Sequence, residues 1–428
     1  MEEPMGAMAL KVLGPALLTV SVMGVFRGYF QGLGTMMPTA ISQILEQIFV
    51  LIGSIAGTYV LYNYGGKVGA LLHNEDYAPA YGAAGASIGP VLGSVVGLLF
   101  LAFVYMLYRK GTKRRSSRDM NGRVDGYPQI FKLIILTIIP VLLSSTVYNI
   151  SDVIDTSIFG KVMVAKGLGD VKTDIWGVYT GKYKVLVNVP IALANAMCSS
   201  IVPVLTKLMV REEYGRAKER IGQAMRFTMI VAFPSAVGLA VLARPIISML
   251  FKGEVDMAVK MLHVGSVSVI FFAISTLTNG VLQGINRMKV PVRNAAISLV
   301  IHIVFLYVTL QLGMGINAVI YANILFAAIV CVLNAMAIRK YMRYRQELVR
   351  TFAIPAIASV VMGIVIGLLN LLLAKTAGNV VTVFVGICVG AVVYFAVLIL
   401  LKGINEHDLR SMPGGRTVLT VAKRMRLM

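Results

Sequence analysis

Acidic side chains, histidine, cysteine and tryptophan are all scarce in this chain. Its 428 residues hold 19 Asp plus Glu, four His, three Cys and one Trp. Cys198, Cys331 and Cys388 each lie inside an apolar run. They have neither the spacing of a metal site nor the framework of a disulfide scaffold, so packed thiols are expected. No H-E-x-x-H, P-loop or G-x-S-x-G pattern occurs, which removes the usual routes to metal-assisted hydrolysis, nucleotide hydrolysis and acyl transfer. The chain is not expected to be an enzyme. A basic leader is also missing: Met1-Glu2-Glu3-Pro4 is acidic where a cleavable signal would be basic, so none is expected. Charged residues make up only 14% of the chain, too few to solvate the surface of a soluble fold this rich in apolar side chains.

What is abundant is apolar surface, 57% of residues, with a mean hydropathy of +0.80. Eleven runs are long enough to cross a bilayer: roughly 7–30, 36–62, 81–108, 129–159, 183–209, 223–243, 257–283, 291–312, 315–338, 352–374 and 379–401. The expected fold is therefore an all-α integral membrane protein of about eleven transmembrane helices. The fourth run is too long for a straight crossing and is expected to leave the bilayer or bend near Pro140. Gly82, Gly85, Gly89, Gly93 and Gly97 give the third run a small-residue stripe suited to close helix packing.

The net charge of +21 does not point to nucleic acid, because the basic residues crowd the segments between apolar runs. One alternating set of loops, at 109–123, 207–220, 287–293, 339–350 and 402–428, holds 26 Lys plus Arg, and the opposite set holds 10. The rule that cytoplasmic loops carry the excess puts the C-terminus inside. Eleven crossings would then leave the N-terminus outside, an awkward start for a first helix.

Two segments echo each other. Arg27-Gly28-Tyr29-Phe30-Gln31-Gly32 and Asn279-Gly280-Val281-Leu282-Gln283-Gly284 both read G-x-x-Q-G, and Pro38 and Pro291 follow them. Internal repeats in an apolar chain are the mark of two-lobed transporters. Aligned on this echo, runs one to three match runs seven to nine. Runs four to six have no counterpart before run one, so the first lobe is expected to be incomplete by three helices. Restoring three would also return the N-terminus to the inside. The organisation read from these patterns is a partial N-terminal lobe at 1–108 and a basic linker at 109–128. A six-helix lobe at 129–338, two further helices at 339–401 and a basic tail at 402–428 follow. The tail is expected either to lie on anionic lipid or to be disordered.

Several stretches resemble a known family. Arg27 to Gly32, Met37-Pro-Thr-Ala-Ile-Ser-Gln43 with Glu46-Gln47, Val189-Pro190-Ile-Ala-Leu-Ala-Asn195 with Ser200-Ile-Val-Pro203, and Asn279 to Pro291 are similar to segments of the stage V sporulation protein B and polysaccharide-biosynthesis flippases. These belong to the multidrug/oligosaccharidyl-lipid/polysaccharide superfamily, beside the MurJ-type lipid II flippases. The resemblance covers about residues 8 to 400. It implies two six-helix lobes in a V around a cavity and a multi-pass protein of the bacterial cytoplasmic membrane. The activity it implies is alternating-access movement of an undecaprenyl-pyrophosphate-linked saccharide, which serves peptidoglycan or polysaccharide synthesis or sporulation. Its partners would be the lipid-linked saccharide, the bilayer and cell-wall synthesis proteins. No cofactor is implied, and an ion gradient or the membrane potential would drive the cycle. The family's opening helices, which carry cavity arginines, have no counterpart here, so the chain resembles an N-terminally truncated member. Two other readings stand beside this one: a cation-coupled multidrug exporter of the same superfamily, and a non-transporting scaffold for cell-wall enzymes.

Polar groups inside apolar runs are costly, and each is a candidate for function. Asn149, Asp152 and Asp155 recur at a spacing of three on one face of run four, as a cavity stripe or a solvated helix end. Lys182 and Lys184 open run five, with Asn188 and Asn195 deeper. These lysines either hold a pyrophosphate or snorkel to the interface. The resemblance places a cavity Arg near this point, and Lys184 is the nearest stand-in. Arg27 and Glu46 flank the first echo, as a gate pair or as packing around the turn. His263 and His302 read as core imidazoles.

Overall fold

The computed structural model describes residues 5–116, 126–373 and 378–404, without the side chains of 110–116 and of six positions between 140 and 148. No strand occurs among the described residues. That is what lipid demands of a chain with such long apolar runs, since only a helix satisfies every backbone N–H and C=O within one segment. Nine helices are long and apolar enough to span a bilayer among the described residues, or ten with one bent pair. Their outward faces carry large apolar side chains, such as Leu17, Leu18, Val300, Val304, Leu368 and Leu371. Exposed apolar surface on this scale fits lipid and not water. The protein is a multi-pass membrane protein.

The chain divides into two compact units, Met1–Gly126 and Tyr127–Met428. The first holds α1 (Gly6–Gly32), α2 (Met37–Leu72), α3 (Tyr77–Ala86) and α4 (Ile88–Ser116). Pro38 opens α2, where its missing N–H removes no helical bond. The third apolar run is one span, Tyr77–Arg109, in which a single-residue turn at Ser87 separates α3 from α4. The glycine stripe does bring helices to backbone contact. A Cβ on Gly85 would strike the Gly57 carbonyl, and one on Gly89 would strike Ser54 and the Val50 carbonyl. Ser54 Oγ donates across this seam to the Ala86 carbonyl at 2.8 Å.

The second unit holds α5 (Tyr127–Ala165), α6 (Lys172–Val178), a π-helical turn at Tyr179–Tyr183, α7 (Lys184–Val210), α8 (Tyr214–Val241) and α9 (Ala243–Leu250). It continues through α10 (Val255–Gly265), α11 (Ser268–Gly284), α12 (Lys289–Gln311) and α13 (Ile316–Met342). A second π-helical turn at Val349–Ala353 leads into α14 (Ile354–Leu373), and α15 (Asn379–Leu400) follows. The run expected at 257–283 is the pair α10 and α11, bent by 52°. The fifth run starts eleven residues earlier than expected, because α6, the π turn and α7 form one apolar stretch, Lys172–Val210. The fourth run is the single 39-residue helix α5, of which Tyr127–Ile139 is a short apolar segment. The Pro140 side chain, where a bend was expected, lies outside the described side chains, as does the tail beyond residue 404. Gly280 and Gly284 of the second echo press α11 onto α7, against Cys198 and Leu205. The described helices beyond 339, α14 and α15, pack onto α8 and α9 within this same unit.

Candidate functional site

Polar centres interrupt the apolar packing in both units. In the first unit, Arg27 lies near the C-terminal end of α1 and Glu46 is three turns into α2. Arg27 Nη2 meets Glu46 Oε2 at 2.6 Å, and Arg27 Nε donates to Ser42 Oγ at 3.2 Å. Both charged side chains are more than four-fifths buried. The second echo is built from neutral groups. Asn334 Nδ2 donates to Asn279 Oδ1 at 2.8 Å and to Thr278 Oγ1 at 3.0 Å, and Asn294 Nδ2 donates to Asn334 Oδ1 at 2.9 Å. Each echo thus ends in a polar knot that ties neighbouring helices, charged in one copy and uncharged in the other.

The helical face of α5 divides its two carboxylates. Asp152 is half exposed, and its Oδ1 accepts from Lys184 Nζ at 2.6 Å. Lys184 also lies 5.8 Å from the centre of the Tyr179 ring. Asn188 and Asn195 follow Lys184 along α7 at offsets of 4 and 11 residues, which returns them to one helical face, and both are exposed. Asn149, one turn before Asp152, is also exposed. Lys184, Asp152, Asn149, Asn188 and Asn195 therefore form an accessible polar seam on α5 and α7.

Lys182 is not part of that seam. Its ammonium donates to the carbonyls of Lys252 at 3.0 Å, Gly253, and Glu254 at 3.4 Å. The π turn rotates it toward the α9–α10 connection, where Gly253 and Glu254 adopt left-handed conformations. Two lysines two residues apart are thus parted by one irregular turn of helix, the kind of interruption that π-helical insertions provide.

Asp155 goes the other way, into the protein. It is 1% exposed and His302 is fully buried. Asp155 Oδ1 and His302 Nε2 are 2.6 Å apart, and Asn323 Nδ2 donates to Asp155 Oδ2 at 2.9 Å. Asn323 Nδ2 also lies 3.4 Å from the Tyr179 hydroxyl and 3.0 Å from the Val319 carbonyl. His302 is a buried imidazole, as its apolar surroundings in the sequence suggested, and its partner is one of the candidate acids. Asn323 and Tyr179 were not singled out by sequence, since nothing local marks an Asn or Tyr whose partner lies 168 or 144 residues away along the chain.

Elsewhere in the unit, Arg226 bonds Glu347 at 3.3 Å, and Arg350 approaches the same carboxylate at 3.6 Å. Burial pushes the neighbouring Tyr344 phenol above its ordinary pKa, an effect that the Arg226 charge partly offsets. An apolar groove of about 550 Å³ runs between α7, α8, α14 and α15, with Pro190, Leu193, Pro234, Ile366, Tyr394 and Phe395 among its walls.

The family model for lipid II flippase MurJ matches residues 2–388. Lipid II flippase MurJ of Bacillus subtilis (strain 168) is 26% identical over 362 residues, covering 83% of this chain and 64% of the relative. Stage V sporulation protein B of the same organism is 24% identical over 407 residues, covering 94% and 75%. The chain thus spans less than two thirds of the length of the first of these relatives. A solved structure of lipid II flippase MurJ in an inward closed conformation superposes with a TM-score of 0.60 at 16% identity. That match covers 91% of this chain and 72% of that one, a likeness of fold.

Proposed function

This chain belongs to the lipid II flippase MurJ family, a family of transporters and not enzymes, and from that membership we propose that it moves an undecaprenyl-pyrophosphate-linked saccharide across the bacterial cytoplasmic membrane. The observation that carries the reading is the family match over residues 2–388, which takes in every candidate cation and carboxylate described above. The accessible seam of α5 and α7 suits the headgroup: Lys184 can release Asp152 and take a phosphate oxygen, while Asn188 and Asn195 offer amides to sugar hydroxyls. The apolar groove beside α7 suits the polyprenyl tail. Alternating access would expose the seam first to one leaflet and then to the other, and the charge bias of the loops supports a cytoplasmic C-terminus.

A cationic-drug exporter would need an acidic pocket. The three candidate acids, Glu46, Asp152 and Asp155, are each held by a basic partner among the described residues, so no observation favours that reading. The test is transfer of labelled lipid II in liposomes containing the purified protein. Expected are flipping by the wild type and a loss of about tenfold or more in Lys184→Ala, the scale of one charge-assisted contact. Asp152→Asn should fall as well, whereas Lys182→Ala, whose ammonium is occupied by the α9–α10 turn, should flip normally. Efflux of cationic dyes without flipping would overturn the substrate assignment. Rescue of a flippase-depleted strain by a chain that flips nothing would favour the scaffold.

A further inference from the structure

The two G-x-x-Q-G echoes end in the same turn and differ in its charge. In the first, the N–H groups of Leu33, Gly34 and Thr35 donate back to the carbonyls of Tyr29, Gln31 and Phe30. In the second, those of Ile285, Asn286 and Arg287 donate to Val281, Gln283 and Leu282. Gly34 and Asn286 hold matching left-handed conformations, with φ of 79° and 60°. The first turn, Leu33 to Pro38, carries no charged residue, whereas the second, Ile285 to Pro291, carries Arg287 and Lys289, with Arg293 one helical turn beyond Lys289. Basic side chains are therefore not needed to make the turn. We propose that Arg287, Lys289 and Arg293 bind the phosphate of an anionic phospholipid headgroup, at a site separate from the α5–α7 seam. The proposal goes beyond the transport reading and is tested without a transported substrate.

The three cations line one cavity of about 440 Å³, walled also by Leu136 of α5 and Tyr341 of α13. No acidic residue lines it. None of the three cations forms an ion pair among the described residues. Arg287 is steadied by the Tyr341 ring, whose centre lies 4.5 Å from its guanidinium carbon, and Lys340 Nζ lies 6.0 Å from the same ring. The cavity thus has a fixed arginine, a second arginine and a lysine within reach of one guest.

The backbone adds to the same sign. The cavity includes the start of α12, a helix with no side-chain cap and no acid in its first turn. A helix start carries partial positive charge and ordinarily attracts carboxylates. Here it carries cations instead, so the array repels itself until an anion enters. The arginines offer paired N–H donors to two phosphate oxygens, and the lysine offers a point charge.

The α5 wall decides between a lipid and a soluble phosphate. Leu136 is 62% exposed, and Phe131 and Leu133 of the same stretch are exposed to a similar degree. That is surface for acyl chains, and it adjoins the cations. Tyr341 is exposed near the end of α13, as amphipathic rings are at headgroup depth. The loop 287–293 belongs to the set that carries the basic excess, and basic pockets between transmembrane helices on that side suit anionic headgroups. A phospholipid fills both halves of the site, whereas a soluble anion fills one.

The test measures retention of phosphatidylglycerol by the purified full chain in detergent, by native mass spectrometry, with phosphatidylcholine as the neutral comparison. The wild type should retain phosphatidylglycerol in preference. Arg287→Gln, Lys289→Gln and Arg293→Gln should each weaken retention about fivefold, the scale of one cation against an anionic lipid. Tyr341→Leu changes no charge, yet should weaken it about two- to fivefold by releasing Arg287. Lys289→Glu should weaken it about tenfold or more. An acid in the first turn favours α12, so that loss cannot come from unfolding of the helix. The control Lys207→Gln/Arg211→Gln/Arg220→Gln removes three cations from the loop before α8 and the start of that helix, and should change retention by less than about twofold. Equal losses in the control and in Arg287→Gln/Lys289→Gln/Arg293→Gln would reduce the effect to diffuse surface charge and overturn the site. Inorganic phosphate that displaces phosphatidylglycerol as readily as the lipid itself does would assign the cavity to a soluble anion and overturn the lipid. Retention that follows these expectations in a protein that moves no lipid-linked saccharide supports the headgroup site and defeats only the transport reading.

Discussion

Arg27 shows how a residue can be read from a repeat and then explained by its neighbours. In the second echo Asn279 stands in its place, so a charge is not required to form the turn, and the structure uses that charge to hold Glu46 and Ser42. Removing one partner of a pair that is more than four-fifths buried leaves the other poorly solvated. Arg27→Ala should lower the stability of the first unit by roughly 1–3 kcal/mol, read as a fall in unfolding midpoint in detergent. Ser42→Ala should cost less. The double variant Arg27→Ala/Glu46→Ala should cost less than the sum of its single changes, because the second removal relieves the stranded carboxylate. Additive losses would mean that the two side chains do not act as a pair. The same scale shows what a sequence withholds. Asp152 and Asp155 share a helical face by spacing, yet one remains half exposed and the other is sealed. The difference lies in α12 and α13, whose His302 and Asn323 close over Asp155. Helical phase is local information, whereas the approach of a third helix is not.

Elements were legible where hydropathy alone decides them. Runs one, two, eight, nine, ten and eleven each correspond to one helix within a few residues, with the second extended to Leu72. Breaks inside runs were not legible: the α3–α4 step at Ser87, the 52° bend between α10 and α11, and the π turn that parts Lys182 from Lys184. A run of apolar residues states that a segment belongs in lipid, but its interruptions are set by what it packs against. The glycine stripe is the exception, because small residues at four-residue spacing directly specify a close approach. Gly89→Ala should therefore be harmful, since its new methyl would meet Ser54 and the Val50 carbonyl. Overpacking of this kind costs typically about 1–3 kcal/mol. Gly66→Ala, on α2 with nothing within 4 Å of the new methyl among the described residues, should be neutral or stabilise by up to about 1 kcal/mol through helix propensity. Thermal unfolding followed by helical circular dichroism separates the two, and equal effects would show that the seam is not tight.

At the scale of the whole molecule, the charge pattern of the loops predicts an orientation. The helices alone are indifferent to which leaflet they face, since an apolar segment crosses equally well either way. The loops break that symmetry, with 26 basic residues on one side against 10 on the other. The weak place is the stretch from Lys161 to Lys184, which carries five lysines on the poorer side. Two of them are tied to the fold: Lys166 Nζ donates to the carbonyls of Leu310 and Gln311 at the end of α12, and Lys182 to those of the α9–α10 turn. Lysines that cap carbonyls are held by the folded protein, and Lys184 is neutralised by Asp152. A fluorescent protein fused after Met428 should fold and fluoresce, which it does only in the cytoplasm, and alkaline phosphatase fused there should be inactive. Alkaline phosphatase inserted after Gly169, in the connection between α5 and α6, should be active. The opposite pair of results would invert the molecule, and with it the leaflet from which the α5–α7 seam first meets its substrate. Lys161→Gln and Lys172→Gln should leave the orientation unchanged, because removing lysines from the poorer set only widens the predicted bias.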